Sequence, residues 1–373
     1  MVFCDMQRNL DKTIWIVTIA IMGIGLLAVY SASYHNVRVT QAVFYDQLVC
    51  ALAALFIMFF LSRIDYRKFY DIAYVLYAIN ILLLLLVLAA GRDALGARRW
   101  IVLAGLSFQP SELTKLSLIL MLGRYFSARR PKLSFGLRSS MHVLFRDLLF
   151  PFSLMVLPMA LIFKQPDLGT ALLMLGIFLV MLFVSGLEYK SFFWFVGLLS
   201  ALVPFAWHAL KPYQKDRLLV FLNPNIDPLG AGYTIIQSRI AVGSGGLLGK
   251  GWLSGTQNQL NFLPERHTDF IFSVIGEEWG VFGTLLLLYC FFVLIHCGLK
   301  ISDQVKDKFG VLVTLGIVAI LTLQVVINIG MVLGLCPVVG LTLPFVSYGR
   351  TSFMVFVVMT GFLLNLSKKR IVF

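Results

Sequence analysis

Hydrophobic residues along the chain fall in long blocks rather than in periodic stripes. Ile14–Ser33, Phe44–Leu61, Ile72–Ala90 and Val311–Leu335 are apolar runs with little polar interruption. At 1.5 Å of rise per residue, a helix of about 20 residues crosses a hydrocarbon layer of about 30 Å. Lipid offers backbone amides no hydrogen-bonding partner, so such blocks must form helices. The pattern predicts spans at about 14–33, 44–61, 72–90, 107–126, 148–163, 169–186, 191–210, 269–299, 311–335 and 351–367. The expected fold class is an all-α polytopic membrane protein: about ten transmembrane helices in one domain covering residues 1–373. The first block follows Arg8 and Lys12 and ends in Ser31-Ala32-Ser33, as a signal peptide would. Its apolar run is too long for one and more spans follow, so it reads as a retained first helix.

Composition agrees with this reading. The chain is 59% hydrophobic and 13% charged, too little charge to cover a soluble domain of 373 residues. A net charge of +13 raises the question of nucleic acid, but its distribution points elsewhere. The even-numbered connections and both termini hold 18 Lys and Arg; the odd-numbered connections hold 12, six of them in one long loop. That asymmetry places both termini in the cytoplasm and argues for a membrane rather than nucleic acid. The basic connection from Ser127 to Asp147, with His142 and Arg146, reads as a loop facing lipid headgroups. The five cysteines have no metal-ligand or disulfide spacing and read as core packing. There is no evident internal repeat.

The long extracytoplasmic loop, Lys211 to Thr268, lies between helices 7 and 8. Loops of this length are usually functional. It contains Gly243-Ser244-Gly245-Gly246-Leu247-Leu248-Gly249-Lys250-Gly251. This is neither a Walker A loop, because Lys250 precedes glycine, nor a Rossmann fingerprint, because Leu248 takes the third glycine position. Its glycines permit tight turns and close backbone approach. Exposed amides with Lys250 beside them would alternatively hold an anion.

Charges inside or beside the spans carry the remaining information. Glu112 and Lys115 lie three residues apart on one face of the fourth span, where they either neutralise one another or line a polar cavity. Asp167, in Lys164-Gln165-Pro166-Asp167-Leu168-Gly169-Thr170, is a helix N-cap or takes part in chemistry. Asp269 ends the long loop in Pro264-Glu265-Arg266-His267-Thr268-Asp269-Phe270 and opens an apolar helix. Ser273, Gly276, Gly280 and Gly283 share its helical face, a seam for close packing or for a ligand. Glu277 and Glu278 must face protein or water. Asp269 is thus a cap or a general base, and a helix N-terminus weakens it as a base unless burial opposes the effect.

These segments resemble the SEDS family (shape, elongation, division and sporulation), and its RodA branch most closely. The resemblance rests on Gly96-Ala97-Arg98-Arg99-Trp100, Gln109-Pro110-Ser111-Glu112-Leu113 and Gln165-Pro166-Asp167-Leu168-Gly169-Thr170. It rests further on Asp227-Pro228-Leu229-Gly230-Ala231-Gly232-Tyr233 and the run to Phe272, with Gly249-Lys250-Gly251-Trp252-Leu253 favouring the elongation branch. It covers nearly the whole chain in order. What the resemblance implies is a peptidoglycan glycosyltransferase that polymerises lipid II outside the membrane, beside a class B penicillin-binding protein that acts as transpeptidase. It implies Asp269 as the essential outer aspartate, with Glu112, Lys115 and Asp167 as cavity residues. Charge developing on the departing pyrophosphate needs cations, for which Arg98, Arg99, Lys250, Arg266 or a bound divalent cation (Mg2+ or Mn2+) are the candidates. The alternatives are a lipid II flippase and a non-catalytic scaffold of the elongation machinery. One position departs from the family: Ser347-Tyr348-Gly349-Arg350 carries Arg350 where a second glycine is usual. Arg350 is expected either to strain that turn or to add a cation to the outer cavity.

Overall fold

The computed structural model describes residues 10–34, 37–94, 97–103, 106–129, 145–228, 230, 232–260 and 262–369. Arg8, Gly96, Leu229, Ala231 and most of the 127–147 connection, His142 included, lie outside the described residues.

Helices stand at every predicted span. They are α1 (Leu10–Ser33), α2 (Val37–Leu61), α3 (Arg67–Ala90), α4 (Pro110–Ala128), α5 (Phe150–Lys164, entered through the π turn Phe145–Leu149) and α6 (Leu168–Val184). The seventh predicted span is split into α7 (Tyr189–Ala201) and α8 (Val203–Ala209), with Pro204 opening the second piece. Three long helices close the set of spans: α12 (Ile271–Gln304), α13 (Lys308–Val332) and α14 (Arg350–Lys369). Among the described residues, seven helices are long and apolar enough to cross a membrane and α6 and the 189–205 stretch are shorter apolar helices; α4, at the fourth predicted span, is in neither group. The fold is that of a multi-pass, almost wholly helical membrane protein.

Two regions hold more structure than their loop-like composition suggests. An antiparallel sheet is formed by β1 (Arg92–Ala94), β2 (Ala97–Leu103) and β3 (Leu106–Phe108), with Arg92 opposite Trp100 and Ile101 opposite Phe108. Trp100, Ile101 and Val102 are strong strand formers. The Lys211–Thr268 loop contains α9 (Pro212–Leu222), α10 (Tyr233–Ser244) and the short α11 (Thr256–Gln259). Within α10, Ile235 and Ala241 are buried and Ser238 donates to the Val332 carbonyl.

The chain divides into two units. One comprises the described residues of Met1–Leu61, Lys211–Cys297 and Leu321–Leu364; the other, those of Ser62–Leu210, Gly298–Ile320 and Asn365–Phe373. In the second unit α3 lies along α4, α5 along α6, and α4 against α6. In the first, Gly25 of α1 admits the backbone of Phe345 and Val346, where a Cβ would stand 2.7 Å from the Phe345 carbonyl oxygen.

The first unit is organised around a break in α12. Gly280 has φ 65° and ψ −159°, a conformation essentially confined to glycine. A break leaves helix amides and carbonyls without partners, which is tolerated at membrane depth only when protein supplies them. The glycine segment supplies them here. Lys250 and Gly251 donate their amides to the carbonyls of Glu277 and Glu278, both at 3.0 Å, and the Val281 and Phe282 amides donate to Gly246 and Leu247. Side chains would forbid this contact: a Cβ at Gly245 would collide with the Gly276 carbonyl, and one at Gly249 with the Glu278 carbonyl. The small-residue seam of α12 thus serves close packing. Ser273 Oγ bonds Ser238 Oγ at 2.9 Å, Gly276 lies against Val242, and Gly280 against Gly249.

Gly280→Ala should destabilise the protein by about 2–4 kcal/mol, from backbone strain plus the clash with the 247–249 backbone. Thermal unfolding in detergent measures the loss. Gly243→Ala in α10, where a Cβ meets nothing within 4 Å, should be neutral or stabilising by up to about 1 kcal/mol.

Candidate active site

Asp269 stands two residues before α12, at the end of a turn over Pro264–Phe270. The turn begins with Glu265 at φ 49°, whose carbonyl accepts from the Thr268 amide at 3.2 Å and the Phe270 amide at 3.3 Å. Three successive carbonyls are then held from outside. His267 accepts from the Tyr348 amide at 2.8 Å, Thr268 from Ser347 Oγ at 2.6 Å, and Asp269 from Asn328 Nδ2 at 2.9 Å. Asn328 also donates to the Leu341 carbonyl at 2.6 Å, and Ser347 Oγ accepts from the Leu343 amide. Arg266 Nε donates to the Ala32 carbonyl at the end of α1, at 2.6 Å. Asp269 is partly exposed, and its carboxylate lies beside Gly340, where a Cβ would stand 3.6 Å from Oδ2.

Two titratable groups of this turn are shifted. Burial holds the Arg266 guanidinium below its ordinary value. Burial also pushes the His267 imidazole down; Arg266 reinforces that shift and Glu265 opposes it. His267 is therefore held neutral beside the candidate base.

Lys250 is committed to the break in α12. Its ammonium pairs with Glu277 Oε1 at 2.7 Å and donates to Thr256 Oγ1 at 2.8 Å, and the same carboxylate oxygen accepts the Gln257 amide. Glu277 and Glu278 are both buried, as their place in an apolar helix requires. Glu278 accepts from Ser31 of α1 and from Asn258, which also donates to the Ser31 carbonyl at 2.9 Å.

The remaining predicted residues gather in the second unit. Lys115 Nζ contacts both Glu112 oxygens, at 2.8 and 2.9 Å, and its side chain is wholly buried. The pair neutralises itself along one helical face. Pro110 opens α4 and its carbonyl accepts from Asn80 of α3 and Thr114, which itself donates to Asn80 Oδ1. Asp167 caps α6 by accepting the Thr170 amide at 3.2 Å, and Gln109 Nε2 reaches its other oxygen at 3.5 Å. Burial pushes the Asp167 carboxyl above its ordinary value; Arg99 and the Thr170 bond oppose this, and Glu112 adds to it. Arg99 Nε donates to the Gln165 carbonyl at 3.0 Å and Nη2 to the Pro166 carbonyl, while Arg98 on the same strand is exposed. Among the described residues, no group of three or more His, Cys, Asp or Glu side chains is placed to hold a metal ion.

The sequence pattern of the FtsW/RodA/SpoVE family, described as cell cycle protein, matches residues 11–371. The chain belongs to this family. It is 39% identical over 363 residues to the peptidoglycan glycosyltransferase MrdB of Escherichia coli K12, covering 97% of this chain and 94% of that protein. It is 38% identical to stage V sporulation protein E of Bacillus subtilis, covering 96% and 97%. Among solved structures, a chain from a peptidoglycan synthase complex that coordinates polymerization and crosslinking matches with TM-score 0.81 and 36% identity, covering 96% and 98%. The rod shape determining protein RodA of Thermus thermophilus matches with TM-score 0.69 and 31% identity, covering 96% of each chain.

Within this family member, several site residues escape a reading of motifs alone. Asn328, with Gln324 one turn before it, is a buried polar side chain in the otherwise apolar α13, and that isolation is the signal that finds it. Ser347 and Tyr348 stand in the family motif beside Arg350, but the motif does not name their partners, and Gly340 carries no signal, because all three roles depend on the path of the 334–349 segment. Arg350 neither strains the turn nor stands alone. It takes no positive φ, opens α14, and pairs with Asp46 of α2.

Two outcomes follow. Glu112→Gln removes the carboxylate charge paired with a buried ammonium and should cost about 3–5 kcal/mol in thermal unfolding, most of it recovered in Glu112→Gln/Lys115→Met. His267 takes its proton in the unfolded chain near pH ~6.5 but resists it when folded, so its contribution to stability is complete above that pH and is lost as pH falls. Melting temperatures read from pH 7.5 down to about 5.5 should fall more steeply for wild type than for His267→Gln.

Proposed function

We propose that this protein is a peptidoglycan glycosyltransferase of cell elongation. It polymerises lipid II into β-1,4 glycan strands on the outer face of the bacterial cytoplasmic membrane, with both termini in the cytoplasm. Asp269 is the general base. The observation that carries the assignment is the turn over Pro264–Phe270, which presents the partly exposed Asp269 on a backbone held at three successive carbonyls. Membership of a family whose relatives are named peptidoglycan glycosyltransferases supplies the reaction class.

The chemistry needs little more than a fixed base and matched countercharge. The acceptor is the 4-hydroxyl of an N-acetylglucosamine, and the donor carbon carries an undecaprenyl pyrophosphate. Attack from the opposite face forms the new C–O bond as the bond to pyrophosphate breaks, inverting the anomeric centre without a covalent sugar intermediate. Asp269 takes the hydroxyl proton in that step. Negative charge gathers on the departing pyrophosphate and is met by fixed cations. A guanidinium carries five N–H donors, so Arg99 and Arg266 retain donors beyond those given to backbone carbonyls. Arg98 is exposed, whereas Lys250 is already paired with Glu277 and is the weaker candidate. A bound divalent cation (Mg2+ or Mn2+), held jointly by protein carboxylates and the pyrophosphate oxygens, is a further candidate countercharge, and no step is assigned to it. Glu112, Lys115 and Asp167 are assigned a supporting role, as an internally neutralised pair and a capped carboxylate. A class B penicillin-binding protein is the proposed transpeptidase partner, in keeping with the similarity to a chain of a polymerizing and crosslinking complex. Membrane lipid surrounds the spans, through which both prenyl-linked substrates approach.

The test is polymerisation of labelled lipid II by the purified complex with the transpeptidase. Asp269→Asn should lower the rate by at least about 100-fold, the usual scale of general-base catalysis, with melting temperature and partner binding retained. Normal polymerisation by that variant would remove Asp269 from the role of base. Movement of lipid II across liposomes without extension would make the protein a flippase instead.

A further inference from the structure

The segment that clamps the Asp269 turn has its own anchor on α2. Asp46 Oδ2 accepts from Arg350 Nε at 2.8 Å, from Arg350 Nη2, and from the Tyr348 hydroxyl at 3.0 Å. Next to it, Gln47 Nε2 donates to the Ser347 carbonyl at 3.3 Å. Tyr348 then meets the turn twice, through its amide on the His267 carbonyl and through its ring, 5.7 Å from the His267 imidazole. Ser347 meets it through Oγ on the Thr268 carbonyl. Residues 347, 348 and 350 thus join one carboxylate of α2 to the two carbonyls immediately before Asp269.

Each charge in this tie accounts for the other. Arg350 is the first residue of α14, where the positive end of a helix disfavours a cation. Asp46 interrupts an apolar helix, where a carboxylate without a partner is costly. The two side chains are 25% and 33% exposed, and a pair so open to solvent adds little to global stability. Its effect is local: it fixes where residues 347–350 lie. A misplacement of about 1 Å in a reacting group costs about 100-fold in rate.

We propose that Asp46, acting through Arg350 and Tyr348, is a positioning residue for Asp269; this rests on the reading of Asp269 as the base. The test compares wild type, Asp46→Asn, Arg350→Gln and the double variant, each in complex with the transpeptidase, on lipid II. Each single variant should lower kcat by about tenfold with KM for lipid II within about twofold, and the double should be no worse than either single. Arg350→Lys, which keeps the charge, should recover part of the rate. In the intact protein, the amides of residues 267–270 should exchange with solvent about tenfold faster in Asp46→Asn, at unchanged melting temperature. Wild-type rates in both single variants, additive losses in the double, unaltered exchange, or losses that track a fall in melting temperature would overturn the proposal. If wild type itself fails to extend lipid II, the reading of function fails, and the exchange experiment still decides whether Asp46 holds the turn.

Discussion

A backbone group in lipid has no water to bond, and the first unit of this protein follows from how that constraint is met where α12 breaks. Opening the helix at Gly280 exposes carbonyls at Glu277 and Glu278 and amides at Val281 and Phe282. The chain answers with a second irregular segment, 246–251, whose own amides and carbonyls face the gap. Neither segment could keep its shape without the other. Glycine is needed on both sides, because the two backbones approach closer than any Cβ would allow.

Charge is handled by the same logic of local completion. Lys250 with Glu277, Glu112 with Lys115, and Asp46 with Arg350 each place a carboxylate against a cation from the same unit. Asp269 lies outside the helix, on a turn whose backbone is held at three successive carbonyls. A fixed backbone beneath a partly exposed aspartate suits a group that must accept a proton from something that arrives and leaves.

The helical architecture was legible because apolar blocks of twenty residues have one outcome in a membrane. The self-neutralising Glu112–Lys115 pair and the capping role of Asp167 were equally legible, since both depend on spacing of three residues along one helix. The purpose of the glycine run was only half legible. Close backbone approach could be expected from composition, but its partner, the break at Gly280, could not, because a single glycine in an apolar helix leaves the backbone path open. The sheet strands β1 to β3 and helix α10 were missed for a related reason: they are short, and none carries an apolar block as long as those that mark the spans. Asp46 and Arg350, more than 300 residues apart, carry no sign in the chain that they meet.

The paired charges of α4 also bear on how the protein is made. In the first two turns of α4, where Glu112 and Lys115 lie, an unpaired charge among apolar residues is costly. Glu112 and Lys115 are three residues apart on the same helix, so their bond can form as soon as that turn of α4 forms, before any other helix arrives. The turn is then presented as a dipole rather than as two ions. Two further polar groups of α4, the Pro110 carbonyl and the Thr114 hydroxyl, find Asn80 on α3, the helix synthesised just before it. These groups thereby acquire their partners from chain that is already made.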